Sequence, residues 1–224
     1  MATGYDEGPV EHGGTITGQV RVIGEIPALP PQPVFKQFDT CGTTITDERL
    51  VTGPNGAVRF AVVSLEGIKS GKPIAYEQPV KLDNEKCAFV PHVVSASLGQ
   101  KLEIHNSDPF LHDAHAFLGS RTLFNVAIPK GRTATRSLVD AGLVHINCNV
   151  RHTWMHAYIF VADNPYHAVT DGAGQFRITD IPPGKYTLRV WHEMLGNSDR
   201  EVTVEAGGSV AVDFELRATA AETP

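Results

Sequence analysis

The run Val144-His145-Ile146-Asn147-Cys148-Asn149-Val150-Arg151-His152-Thr153-Trp154-Met155 decides how this chain is read. Successive side chains of a strand point to opposite sides, so Val144, Ile146 and Cys148 share one face while His145 and Asn147 share the other. Past a short loop the alternation resumes, with Met155, Ala157, Ile159 and Val161 on one face. A strand, a loop and a second strand therefore turn the Cys148 thiol and the Met155 thioether inward at one end, with His152 between them.

Working outward, the same period of two returns along most of the chain. It appears at Thr15 to Val20, Ala57 to Leu65, Lys101 to Asn106, Gly174 to Ile178, Lys185 to Trp191, Glu201 to Val204 and Ser209 to Leu216. Turn signals separate these segments: Gly53-Pro54-Asn55-Gly56, Ser107-Asp108-Pro109, Pro129-Lys130-Gly131, Asp171-Gly172, Pro182-Pro183-Gly184 and Gly207-Gly208. No segment reads as a convincing helix, and Ile26 to Pro33 reads as a proline-rich extended connector. Many short strands with frequent turns predict an all-β protein of sandwiches or barrels.

A second stretch adds a donor. In Asn106-Ser107-Asp108-Pro109-Phe110-Leu111-His112-Asp113 a strand ends in a turn and a histidine follows. Alone, a buried cysteine is more often inert packing and a methionine more often core filler. Together, His112, Cys148, His152 and Met155 form a four-donor set. Soft sulfur with imidazole suits copper, and two histidines, one cysteine and a weak axial methionine suit a copper ion that exchanges electrons. A structural zinc site has no use for the methionine. His115 and His145 face away from His112 and Cys148 by strand offset, and His156 is expected at the surface beside the site, where electron partners dock. His92 or His115 could serve an accessory metal site.

These residues carry a resemblance. Asn106-Ser107-Asp108-x-x-x-His112 followed by Cys148-x-x-x-His152-x-x-Met155 resembles the blue copper proteins, or cupredoxins, especially plastocyanin-like members with a compact Cys-to-Met loop; the match spans residues 87 to 163. It implies a Greek-key β-sandwich or barrel, one mononuclear type 1 copper, and electron exchange with redox partner proteins such as a cytochrome or an oxidoreductase. Two departures stand out: three residues lie between Cys148 and His152 where related members more often have two, and Asp113 stands where many have Asn.

A second resemblance lies in Val169 to Ile178, Ile181-Pro182-Pro183-Gly184-Lys185-Tyr186-Thr187-Leu188 and Glu201 to Leu216, which look like the carboxypeptidase regulatory-like, transthyretin-like β-sandwich. Such sandwiches normally begin with a strand like Gly14 to Val20. The expected organisation is a disordered segment 1–12, a discontinuous sandwich of 13–66 with 164–218, a cupredoxin domain at 67–163 between its halves, and a disordered tail 219–224. Two independent domains in series is the alternative.

Cys41 and Cys87 sit in loop-like surroundings and are assigned to a disulfide, which leaves Cys148 as the free thiol. A disulfide implies an oxidising compartment, so a periplasmic or secreted protein is expected, its signal peptide absent from this sequence. Met1 is followed by the polar stretch Ala2 to Gly14, and no apolar run approaches the ~18–20 residues of a membrane span. With 19 basic and 25 acidic residues the net charge is -6, which disfavours nucleic acid and anionic membrane surfaces as partners. There is no nucleophile elbow, paired-carboxylate constellation or phosphate-binding glycine loop, so an electron-transfer protein is expected rather than an enzyme. The alternatives are copper storage or delivery, and a structural or adhesive sandwich without a redox role.

Overall fold

Alternating burial sets the strands. In Lys101–Asn106 the side chains of Leu102, Ile104 and Asn106 are buried while Lys101, Glu103 and His105 are not, the signature of a strand with one face on a core. The computed structural model describes residues 4–150 and 152–218. It is nearly all β, with one four-residue helical turn at Phe38–Cys41 and one 3-10 turn at Pro54–Gly56.

The chain divides into two units. One comprises Pro30–Asp47 and Ala75–Asp163; the other takes the described residues up to Leu29, Glu48–Ile74, and those from Asn164 on. The sequence reading put 30–47 with the second unit and 67–74 with the first, and the structure differs on both. Val34 and Cys41 bury in the first unit's core and Cys41 is bonded to Cys87, whereas Ile68 and Ile74 bury in the second unit's core.

Two larger open sheets, with the two-stranded pair Gln32–Pro33 and Thr44–Ile45, form the first unit. One runs Thr133–Ser137, Lys101–Asn106, Val80–Glu85, Ala88–Val90; the other runs Arg121–Ile128, His112–Leu118, Gly142–Asn147, His156–Ala162, Val93–Ser97. Their inner faces share one apolar cluster that includes Leu82, Leu102, Ile104, Val144, Ile146 and Ile159, all at most 1% exposed. Each such side chain contributes about 1.5–3 kcal/mol by leaving water, so this cluster holds the sheets face to face as a sandwich. Among the described residues no sheet closes on itself, and the barrel alternative gives way to open sheets.

In the second unit the sheets are His167–Val169, Val62–Glu66, Gly184–His192, Gly196–Val204, and Gln175–Ile181, Gly14–Ile23, Ser209–Ala211, with Phe214–Arg217 also on Gly14–Ile23. The strand Gly14–Ile23 thus pairs with strands from the end of the chain: Ile16 faces Ile178 and Val210, and Val20 faces Phe214. Gly18 lies where the neighbour changes, and a Cβ there would collide with the Val212 carbonyl and the Phe176 ring. The strand expected from Ala57 starts only at Val62, because Phe60 adopts a positive φ of 67° that breaks the extended run.

The N-terminal segment departs from the disorder expected for 1–12. Asp6–Glu7 pairs in parallel with Ser70–Gly71, and Tyr5 is buried, its hydroxyl donating to the Lys72 carbonyl at 2.8 Å. Burial of one aromatic ring anchors the segment. Residues 1–3, and the tail 219–224, lie outside the described residues. Among the described residues no helix is long and apolar enough to cross a membrane.

Candidate metal centre

The Asn106-Ser107-Asp108 turn positions the first imidazole. Asn106 Nδ2 donates to the carbonyls of Phe110 and Ile128, both at 2.7 Å, and Asn106 Oδ1 accepts from the Asp108 amide at 3.0 Å. Asp108 is thereby fixed one turn before His112, which opens the strand His112–Leu118 opposite Ile128. His112 Nε2 lies 2.8 Å from Asp108 Oδ2, and the same carboxylate accepts from the amides of Lys86 and Cys87 at 2.7 and 2.8 Å. A carboxylate only accepts when ionised, so Nε2 carries the proton and the Nδ1 lone pair points away from Asp108.

Cys148 follows the strand Gly142–Asn147, on the buried face with Val144 and Ile146, as strand alternation requires. Its amide donates to the Met155 carbonyl at 3.2 Å, and the Met155 amide donates to the His152 carbonyl at 2.8 Å. Asp113 Oδ1 accepts from the amides of Asn149 at 2.5 Å and Val150 at 3.2 Å. The aspartate that departs from the usual asparagine therefore clamps the enlarged Cys-to-His loop.

His112 Nδ1 and His152 Nδ1 lie 3.6 and 3.5 Å from Cys148 Sγ, and the three donor atoms are within 4.8 Å of one another. Both histidines are 0% exposed and Cys148 2%. Phe110 and Trp154 stand 5.6 and 5.4 Å from the His152 ring, centre to centre. Met155 is 2% exposed and belongs to the same apolar cluster as Cys148 and Trp154.

Burial pushes the Cys148 thiol up to about 11, against the backbone amides of Asp113 and Val150, which favour the thiolate. Burial also holds His152 down at about 4, helped by the charge that His112 and Lys36 would place beside it. His112 is lowered chiefly by burial, with Asp108 opposing. The set is thus two neutral imidazoles and a thiol in a dry site.

Such a set fits a thiophilic cation. Two nitrogen lone pairs converge on one sulfur, and a single S–H proton can satisfy only one of them. A metal ion bound by the thiolate would satisfy both, and a carboxylate or amide on the far nitrogen of each ring is the usual support for a ligating histidine.

Of the other histidines, His115 is on the outer face: its Nδ1 accepts from Asn149 Nδ2 at 2.5 Å, and its Nε2 meets Thr122 Oγ1 at 3.0 Å. His156, expected at the surface, is half-buried, edge-on to the buried His92 at 5.0 Å between ring centres. Cys41 and Cys87 are disulfide-bonded and Cys148 is the free cysteine. Two functional neighbours escaped the sequence reading. Asp108 stands in the turn and in the motif that precedes His112 with nothing in the sequence to give it a role of its own, and Gln37, whose Oε1 lies 2.6 Å from His152 Nε2, is 115 positions away with no local motif to mark it.

Residues 155–217 match the carboxypeptidase regulatory-like domain family. That match begins at the first unit's strand His156–Ala162 and covers the C-terminal strands of the second unit, but not Gly14–Ile23, which completes its sheet. No curated protein matches the chain. Among solved structures, a copper-containing nitrite reductase from Thermus scotoductus is 23% identical, covering 44% of this chain and 24% of that one, with a TM-score of 0.36. This chain thus spans about a quarter of that enzyme's length. A purple cupredoxin from Nitrosopumilus maritimus is 16% identical over 37% of this chain and 99% of its own, with a TM-score of 0.34. A reduced amicyanin mutant is 17% identical over 44% and 97%, with a TM-score of 0.35.

Proposed function

We propose that the unit of Pro30–Asp47 and Ala75–Asp163 holds one mononuclear type 1 copper ion on His112, Cys148, His152 and Met155 and carries single electrons between redox proteins. The observation that carries this reading is the convergence of two imidazole Nδ1 atoms on one buried sulfur, at 3.6 and 3.5 Å. Copper bound there would supply one-electron exchange, since this ligand set disfavours neither oxidation state strongly.

The chain's own residues serve that role by staying still. Asp108 and Gln37 orient the rings, the amides of Asp113 and Val150 steady the sulfur, and Phe110 and Trp154 exclude water. A four-donor set occupies its ion fully, in keeping with a carrier rather than an enzyme. Storage or delivery would need an exchangeable ion, and donors that are 0–2% exposed favour retention instead. The Cys41–Cys87 disulfide supports residence in an oxidising compartment, periplasmic or extracellular. The carboxypeptidase regulatory-like unit is read as a structural module.

Copper titration followed by visible spectroscopy and a redox titration tests the reading. One equivalent of copper(II) is expected to give an intense thiolate-to-copper band, lost in Cys148→Ser, weakened or shifted in His112→Ala and His152→Ala, and retained in His115→Ala. A colourless copper-loaded wild type, or a Cys148→Ser protein with the wild-type spectrum, would show the reading to be wrong.

A further inference from the structure

We infer that Gln37 is a positioning residue for the candidate copper site and that the Cys41–Cys87 disulfide holds it in place; the inference deepens the copper reading proposed above. Gln37 belongs to neither sheet. It precedes the single turn Phe38–Cys41, with its own backbone in the left-handed region at φ 58° and ψ 38°. The amides of Thr40 and Cys41 donate to its carbonyl at 3.0 and 2.9 Å, and Gly42 donates to Phe38 at 2.9 Å. These bonds freeze the direction in which the Gln37 side chain leaves the backbone.

That side chain ends on His152. An amide oxygen only accepts, so the contact of 2.6 Å between Gln37 Oε1 and His152 Nε2 puts the ring proton on Nε2. The Nδ1 lone pair is left facing Cys148 Sγ at 3.5 Å. Next to Gln37, Lys36 Nζ donates to the Val150 carbonyl at 2.5 Å and ties the same segment to the loop between Cys148 and His152.

The disulfide links this support to the one on the other ring. Cys41 closes the turn that carries Gln37, and Cys87 presents its amide to Asp108, the acceptor for His112. Both Nε2 supports thus hang on one covalent junction. They differ in charge: His112 faces a carboxylate and His152 a neutral amide. His152 is therefore the imidazole whose placement depends most on a single neutral hydrogen bond and on the tether behind it.

The test begins on the metal-free protein with the disulfide intact. Nitrogen-resolved imidazole NMR should show His152 as the Nε2–H tautomer, with an Nε2 proton slow enough in exchange to be seen. In Gln37→Ala that proton should exchange several-fold faster or vanish, with the backbone amide spectrum of the sheets unchanged. Gln37→Glu, which keeps an acceptor at the same reach, should restore it. The double variant Cys41→Ala/Cys87→Ala should reproduce the Gln37→Ala result. In the copper-loaded protein, Gln37→Ala should shift the visible band and release copper to a chelator several-fold faster than wild type. An Nε2 proton equally protected in wild type and Gln37→Ala would overturn the inference, as would an unshifted band with unchanged release. Because the NMR arm contains no metal, a colourless wild type would fail the copper reading while the Gln37 support of His152 is still decided separately.

Discussion

The Asp108 carboxylate and His112 Nε2 are 2.8 Å apart inside the first unit, and the amides of Lys86 and Cys87 close on the same two oxygens. Asp108 is 3% exposed, so water cannot replace it. In Asp108→Ala, the buried donors of Cys87 and His112 and the part-buried amide of Lys86 lose their acceptor, at about 1–3 kcal/mol for each buried group left unsatisfied. Relaxation will recover part of this, and a loss of about 3 kcal/mol is expected for the metal-free protein, against a smaller loss for Asp108→Asn. Denaturant midpoints at constant m-value measure it.

Met155 and Cys148 are bound to the same loop closure but should answer differently to substitution. Met155 would hold a copper ion only weakly through its thioether. Met155→Leu is expected to keep the visible band in copper-loaded protein and to raise the reduction potential, because an electron-rich sulfur that stabilises the oxidised ion is gone. Protein-film voltammetry with the absorption spectrum reads both. A lowered potential would remove Met155 from the ligand set.

Reduction of the Cys41–Cys87 bond opens a loop spanning 46 positions. The chain-entropy model puts the cost of losing such a link at about 4 kcal/mol. Intact-mass measurement with thiol alkylation should find one disulfide and one free thiol, and thermal melts should drop on reduction. Three alkylated thiols in the native, unreduced protein would contradict both the bond and the oxidising compartment inferred from it.

Arg189 and Asp199 face each other across paired strands of the second unit, with two nitrogen–oxygen contacts of 2.8 Å. The arginine holds the Asp199 carboxyl below its ordinary value. A carboxyl that is more acidic in the folded state binds fewer protons there than in the unfolded state. Its stabilising effect is therefore complete above about pH 4 and fades as the pH falls through the lower folded value. Both side chains are more than 40% exposed, and solvent screening limits the contribution to a few tenths of a kcal/mol. Wild type should exceed Asp199→Asn by that amount at pH 7, and the gap should close as the pH falls through the lowered folded value and shrink in high salt.

Local patterning carried much of this protein. The period of two in Val144 to Cys148 and in Met155 to Val161 was enough to turn both sulfurs inward, because strand geometry leaves a side chain only two directions. The repeats of turn residues were enough for an all-β chain, and the spacing of His112, Cys148, His152 and Met155 was enough to nominate a metal set. The setting of Cys41 and Cys87 in loops likewise pointed to their bond. Where backbone conformation left the extended region the pattern misled: Phe60 interrupts a strand that alternation alone would have continued, and Tyr5 orders a segment whose polar composition suggested disorder.

What local patterning could not contain is which distant groups meet. Gln37 reaches His152 across 115 positions, and Asp108 joins His112 to the amides beside Cys87. The assignment of 30–47 to the first unit follows from the same kind of fact. Hydrogen bonds and disulfides act over a few ångströms in space whatever the separation along the chain. The donors of the candidate centre were therefore written in short motifs, while the groups that orient them were decided only when the sheets and the Cys41–Cys87 bond brought them together.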